Sequence, residues 1–114
     1  MARKSAHIPT VGEFELLVLL AVARLKNGAY PVAIRDEIEA RTGRRVSRPA
    51  VFITLERLED KRLVSSYFGD PTPVRGGRAK RFFRLTPAGS AAAHHSLQTV
   101  SAMIEGLDWL FERR

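Results

Sequence analysis

Apolar residues recur along this chain with changing period, and each change marks a predicted element. Phe14, Leu17, Val18, Ala21 and Leu25 follow helical spacing, while Leu16, Leu19, Leu20, Val22 and Ala23 fill most of the remaining circumference. A helix apolar on nearly all sides is buried on two fronts. One front is the domain's own core; the other asks for a partner, most simply a second copy of the chain. The spacing Thr10-Val11-Gly12-Glu13 predicts the start of this helix as a capping box, in which hydroxyl and carboxylate satisfy orphan backbone donors reciprocally. Asn27-Gly28 is expected to end it, with Gly28 as the left-handed residue.

Pro31 suits the first turn of a second helix running through Ile34 and Ile38 to about Arg41, where Thr42-Gly43 stops it. Arg44-Arg45-Val46 follows as a short extended stretch, and a third helix begins near Ser47, whose hydroxyl is a good cap; Arg48, preceding Pro49, is the other candidate. Val51, Leu55 and Leu58 point inward, with Leu63 continuing the core, so the opposite side exposes Pro49, Phe52, Ile53, Glu56, Arg57 and Asp60. Residues 63–68 and 81–86 read as two strands joined by the tip Pro71-Thr72-Pro73-Val74-Arg75-Gly76-Gly77-Arg78. On the second strand Phe83 and Leu85 share one face, Phe82 and Arg84 the other.

Thr86-Pro87 then opens a helix expected to run about 25 residues, about 37 Å, with Gly89 weakening its first turn. Leu97, Val100, Ile104, Leu107 and Phe111 step by 3, 4, 3 and 4, a coiled-coil type of seam. That is more apolar surface than a small domain needs at its own end, and a dimer through Phe14, Leu17, Leu20 and this seam is the economical solution. The expected fold is mainly α with a small β-hairpin: residues 1–9 a basic, flexible arm, 10–86 a winged helix-turn-helix, and 87–114 a dimerisation helix.

Charge turns this architecture toward a ligand class. The 114 residues carry a net charge of +7, but residues 41–84 hold twelve Lys or Arg against four Asp or Glu, a balance of +8 that leaves the remainder near −1. A local cationic face attracts polyanions. Nucleic acid is favoured over lipid, since there is no lipidation motif and no apolar run long enough to span a bilayer. No signal-type segment follows the basic start, so the chain is expected in the cytoplasm, and its lack of cysteine agrees with a reducing compartment.

A helix-turn-helix lays its second helix in the major groove with N-terminal residues at the base edges. Arg48 is the expected base contact, since a guanidinium pairs with both acceptors of guanine, while Phe52 and Ile53 can meet thymine methyl groups. Arg44, Arg45 and Ser47 would anchor phosphates, and Arg57 lies on the same exposed side. Glu56 is expected to pair with a nearby Arg. Arg75, Arg78, Lys80 and Arg81 frame the glycine turn, suited to the minor groove, although edge strands also carry such charge merely to discourage aggregation. His94-His95 point about 100° apart on a helix and chelate poorly together, and no nucleophile motif or phosphate-cradling loop is present. Neither an enzyme nor a cofactor or metal site is expected. Trp109 is expected in dimer packing, with a small-molecule pocket as its second use. A protein-interaction module would account for exposed Phe52, Ile53 and Phe82 but not for the +8 segment; a structured-RNA binder would use the same basic face.

Taken in order, Gly12-Glu13-Phe14-Glu15-Leu16-Leu17-Val18-Leu19, Tyr30-Pro31-Val32-Ala33-Ile34, Val46-Ser47-Arg48-Pro49-Ala50-Val51-Phe52, Leu55-Glu56-Arg57-Leu58-Glu59 and the run from Gly76 to Gly89 resemble the PadR family of transcriptional regulators. The resemblance implies a homodimeric winged helix-turn-helix repressor, paired through its first and last helices, that binds a palindromic operator in double-stranded DNA and is open to release by a small hydrophobic effector. It assigns Ser47, Arg48, Pro49 and Phe52 to the recognition helix, and Arg78, Lys80 and Arg81 to the wing. Position 52 is commonly Tyr in that pattern and is Phe here, which removes a phenolic phosphate contact. Position 62 commonly carries Gly, whereas Lys61-Arg62 stands here; a left-handed end then costs free energy, and running the helix on slightly is the alternative.

Overall fold

The computed structural model describes residues 8, 10–69 and 79–112, so the expected arm, apart from Ile8, and the wing tip with Arg75 and Arg78 lie outside the described residues. The elements are α1 (Glu13–Leu25), a 3-10 turn (Lys26–Gly28), α2 (Pro31–Thr42), α3 (Arg48–Asp60), β1 (Val64–Phe68), β2 (Arg81–Leu85), α4 (Pro87–Ile104) and a second 3-10 turn (Asp108–Phe111).

α1 is the hub, packed against α2, α3, α4 and β2. Its Val18 and Leu19 are fully buried, and Val22 nearly so, together with Ile34 from α2, Val51, Leu55 and Leu58 from α3, and Phe83 from β2. The predicted capping box lies two residues too early. Gly12 is the N-cap, and the Glu15 carboxylate reaches back to accept its amide at 3.1 Å. Glu15 also pairs with Lys61 at 3.0 Å, so one carboxylate both caps α1 and ties it to the residue that ends α3. On the other side of α1, Glu37 accepts from Arg41 and Arg24. These bonds, Arg41's first, hold its carboxyl below the ordinary carboxylate range.

The end of α1 departs from expectation. Lys26, not Gly28, takes the positive φ, at 52°. The chain tightens at once into the 3-10 turn because it must deliver the carbonyl of Ala29 to the amide of Phe83 at 2.8 Å, a backbone bond that fastens this connector to β2. α2 ends at Gly43, as its sequence predicts, with φ 73°.

α3 starts from Ser47, whose hydroxyl accepts the Ala50 amide at 3.2 Å, which makes Ser47 the cap and Arg48 the first helical residue. It does not run on past Asp60. The Leu63 amide bonds the Leu58 carbonyl and the Arg62 amide bonds that of Glu59, both at 2.9 Å. This pair is a Schellman closure, completed by contact between apolar residues at its two ends; Leu58 and Leu63 are both fully buried. Arg62 occupies the left-handed position with φ 63°, where a Cβ costs about 1–2 kcal/mol. Burial of Leu63 outweighs that cost, at about 1.5–3 kcal/mol for a fully buried aliphatic side chain.

β1 and β2 pair antiparallel in the register Val64↔Leu85, Ser66↔Phe83 and Phe68↔Arg81 on one face, Ser65↔Arg84 and Tyr67↔Phe82 on the other. α4 leaves directly from β2. Thr86 donates its hydroxyl to the Arg62 carbonyl at 2.7 Å and its amide to that of Leu63 at 3.1 Å, and its oxygen accepts the Gly89 amide at 3.0 Å. Gly89 is required here for space, since a Cβ would stand 1.9 Å from the Leu63 carbonyl oxygen.

α4 is shorter than its apolar seam predicts. It spans 18 residues, ending at Ile104 because Glu105 is extended and Gly106 turns left-handed at φ 88°. Leu97, Val100 and Ile104 therefore lie on the helix, whereas Leu107 and Phe111 lie beyond it. The seam changes character on the way: Gly89, Ala92 and Ala93 are buried against the domain, but Leu97, Val100 and Met103 are exposed.

Two substitutions at the α3–β1–α4 junction should move stability in opposite directions. Arg62→Gly relieves the left-handed strain and is expected to raise the melting temperature by several degrees, from a gain of about 0.5–1 kcal/mol after the added unfolded-state entropy. Gly89→Ala forces the Leu63 backbone aside and is expected to cost about 1–3 kcal/mol, outweighing the helix propensity of Ala. Thermal denaturation followed by circular dichroism reads both; a stabilising Gly89→Ala would contradict the close approach.

Candidate nucleic-acid interface

The outward side of α3 follows from the inward one. With Val51, Leu55 and Leu58 buried, Pro49, Phe52, Ile53, Arg57 and Asp60 are left exposed. Phe52 is 45% exposed and Ile53 49%, a pair of large apolar side chains on open surface in the first two turns. Arg48 and Arg57 are exposed on the same helix, and Arg45 precedes it. Among the described residues none of these three cations takes part in an ion pair, whereas Arg44 is turned back: its guanidinium bonds Glu13 at 2.9 Å and lies 5.4 Å from the Phe14 ring centre.

The hairpin stands beside α3, joined to it by a charged contact that strand parity brings about. Arg81 shares the inner face with Phe83, so its guanidinium points at α3 rather than at solvent. It bonds Glu56 at 2.9 Å and also Glu59, and lies over the Phe83 ring at 4.9 Å. Partial burial disfavours its charge, but the Glu56 hydrogen bond and the charges of Glu59 and Glu56 outweigh this and hold the guanidinium protonated more firmly than usual. Glu56 thus has the arginine partner its position called for. Arg81 was expected at the minor groove with Lys80; in the free protein inner-face geometry turns its guanidinium to the carboxylates of α3.

The outer face of the hairpin carries an aromatic cluster that the sequence reading did not assemble. Tyr67 and Phe82 stack at 5.6 Å, and Tyr30, at the start of α2, meets Phe82 edge-on at 5.6 Å. Lys80 lies 4.3 Å above Tyr30 and Arg84 4.2 Å above Tyr67, so two cations are held on aromatic faces along the outer side of the hairpin. Cross-strand pairing of Tyr67 with Phe82 was the available signal. It required the register, which the long tip between the strands obscures.

The residues expected at a dimer contact fall into two groups. Phe14, Leu17 and Leu20 on α1 are half-buried, the first two packed on the core. Of the seam, Leu97 and Val100 are exposed, Ile104 and Leu107 half-buried, and Phe111 66% exposed. Trp109 is 60% exposed, and it is Ile104, Asp108 and Phe111, not Trp109, that line the nearby recess of about 460 Å³ at the end of α4. No helix among the described residues is long and apolar enough to cross a membrane.

Comparison with known proteins places this geometry. The transcriptional regulator PadR-like family matches residues 19–95. The fold is similar to that of a PadR family transcription regulator from hypervirulent Clostridium difficile R20291, with TM-score 0.71 and 21% identity over 89% of this chain and 100% of that one. A PadR-like transcription factor from Bacteroides fragilis gives TM-score 0.70 and 16% identity over 85% of this chain and 88% of its own. In sequence, an uncharacterized protein of Lysinibacillus sphaericus is 24% identical over 103 residues, 89% of this chain and 90% of that protein. A helix-turn-helix followed by a two-stranded hairpin, matched over most of its length by this family, is a DNA-binding regulator and not an enzyme: the chain belongs to the PadR-like family of transcriptional regulators.

Proposed function

We propose that the chain binds a palindromic operator in duplex DNA as a homodimer, represses transcription there in the cytoplasm, and is released by a small hydrophobic effector. The observation that carries the DNA reading is the front of α3, where exposed Arg48, Phe52 and Ile53 stand together on the helix that packs beside the hairpin bearing Lys80 and Arg84. Arg48 reads guanine through its two acceptors, and Phe52 and Ile53 meet thymine methyl groups. Arg45 and Arg57 contact phosphate. Ser47 accepts the Ala50 amide, which leaves its hydroxyl proton for a phosphate oxygen. Lys80, with Arg75 and Arg78 of the tip, follows the minor groove.

Dimerisation is supported by the large apolar side chains on the distal half of α4, which a monomer leaves in water. Two copies joined there and along α1 set two copies of α3 about 34 Å apart, one turn of duplex. The recess bordered by Ile104 and Phe111 is the place for an effector, next to the surface on which the two copies would meet. Repression in preference to activation follows the family resemblance.

Binding to duplex DNA, followed by fluorescence anisotropy, should weaken steeply with salt, log K falling against log[salt] by about 0.9 per phosphate neutralised; a flat dependence would remove the DNA reading. Selection from random duplexes should return a palindrome. Arg48→Ala should leave the melting temperature nearly unchanged while relaxing base preference by about 1–3 kcal/mol at one position of each half-site. Ser47→Ala, by contrast, loses a helix cap and should cost about 1 kcal/mol of stability. Sedimentation equilibrium should show a dimer that Leu97→Glu with Val100→Glu converts to a folded monomer of much weaker DNA affinity, and a monomeric parent protein would contradict the assembly.

A further inference from the structure

Arg81 lies within the basic run, yet its surroundings differ from those of the other cations near α3. Its guanidinium spans two carboxylates one turn apart on α3, Glu56 at 2.9 Å and Glu59. Glu59 is held from the other strand as well, since the Ser66 hydroxyl of β1 donates to its second oxygen at 2.7 Å. Both strands of the hairpin therefore grip the same turn of α3. That turn carries Asp60 in addition, so three acidic side chains sit on the helix that the proposed function sends into a groove lined with phosphate.

From this juxtaposition we infer that Arg81 is a positioning residue for DNA recognition: it locks the wing to the recognition helix and masks the Glu56 and Glu59 carboxylates from phosphate, and it is not itself a phosphate contact. A planar guanidinium can bridge two carboxylates at fixed angles, whereas a lysine ammonium offers a point charge without the fork. Without Arg81 the end of the hairpin remote from the Leu63–Thr86 junction would lose its tether to α3, and two uncompensated carboxylates would face the duplex. The inference rests on the DNA-binding reading only for its second half, because the lock itself exists in the free protein.

The test combines anisotropy on the selected duplex over a range of salt with melting temperatures in the absence of DNA. The proteins are the parent, Arg81→Gln, Arg81→Lys, Glu56→Gln with Glu59→Gln, and the triple variant. Arg81→Gln is expected to weaken binding about tenfold at low salt and less at high salt, where the uncovered carboxylates are screened, and Arg81→Lys to recover only part of the loss. The triple variant should return to within about threefold of the parent, since the exposed carboxylates are then gone. A slope lowered by about 0.9 per protomer in Arg81→Gln, with the same loss in the Glu-to-Gln background, would make Arg81 a direct phosphate contact and overturn the inference. Should the parent fail to bind duplex DNA, the functional reading falls while melting temperatures still decide the lock: non-additive losses for Arg81→Gln and the paired Glu substitutions support it, and additive ones refute it.

Discussion

The backbone carbonyl of Leu63 accepts the Thr86 amide at 3.1 Å and fills the place where any side chain on residue 89 would have to go. At this point the end of α3, the base of the hairpin and the start of α4 meet. Thr86 serves all three, through its amide to Leu63, its hydroxyl to the Arg62 carbonyl and its oxygen to the Gly89 amide. The unfavourable φ of Arg62 is tolerated because relaxing it would withdraw Leu63 from the core and undo the closure of α3. Recognition helix, wing base and C-terminal helix are consequently held in one fixed relation, which a reading head needs if it is to keep its register on a rigid duplex.

Charge in this fold is sorted by what each cation faces. Arg44 turns back to Glu13, Lys61 to Glu15, and Arg81 to Glu56 and Glu59, while Arg45, Arg48 and Arg57 remain outside any ion pair of the described residues. Exposed pairs such as Arg44 with Glu13 contribute about 0–1 kcal/mol, so their effect is on orientation more than on stability. They consume positive charge where it would face the protein's own helices. Of these three, Arg45 and Arg48 stand at the front of α3, where a polyanion would be met, and Arg57 lies in its last turn.

The C-terminal helix divides at Leu97. Before it, Gly89, Ala92 and Ala93 are small enough to bring α4 close to the rest of the domain. After it come large apolar residues without a home in the single chain. Small residues permit close backbone approach within a fold; large exposed ones at helical spacing have a hydrophobic driving force toward another surface. The seam is interrupted at Gly106, so any such surface is met by about two turns of helix, from Leu97 to Ile104, followed by a compact turn, not by one long rod.

The order of elements, the inward faces of α2 and α3, and the local excess of positive charge were legible in the sequence because each depends on spacing within a short stretch. Ser47 as a cap, Gly43 as a stop and the opposition of Phe83 to Phe82 belong to the same kind of information. Errors arose where distant segments compete for one backbone. Gly28 lost the left-handed position to Lys26 because Ala29 is claimed by Phe83, and Arg62 accepted one because Leu63 is claimed by the core. Parity along β2 already placed Arg81 on the face of Phe83, but that its inward course ends at Glu56 and Glu59 depends on how hairpin and helix are set side by side. Periodicity by itself determined which elements form and which faces they bury, since those are properties of a single segment in water. Which cations remain free to meet a partner was decided only by tertiary structure, because an ion pair depends on a separation of a few ångströms between residues that the chain brings together only on folding.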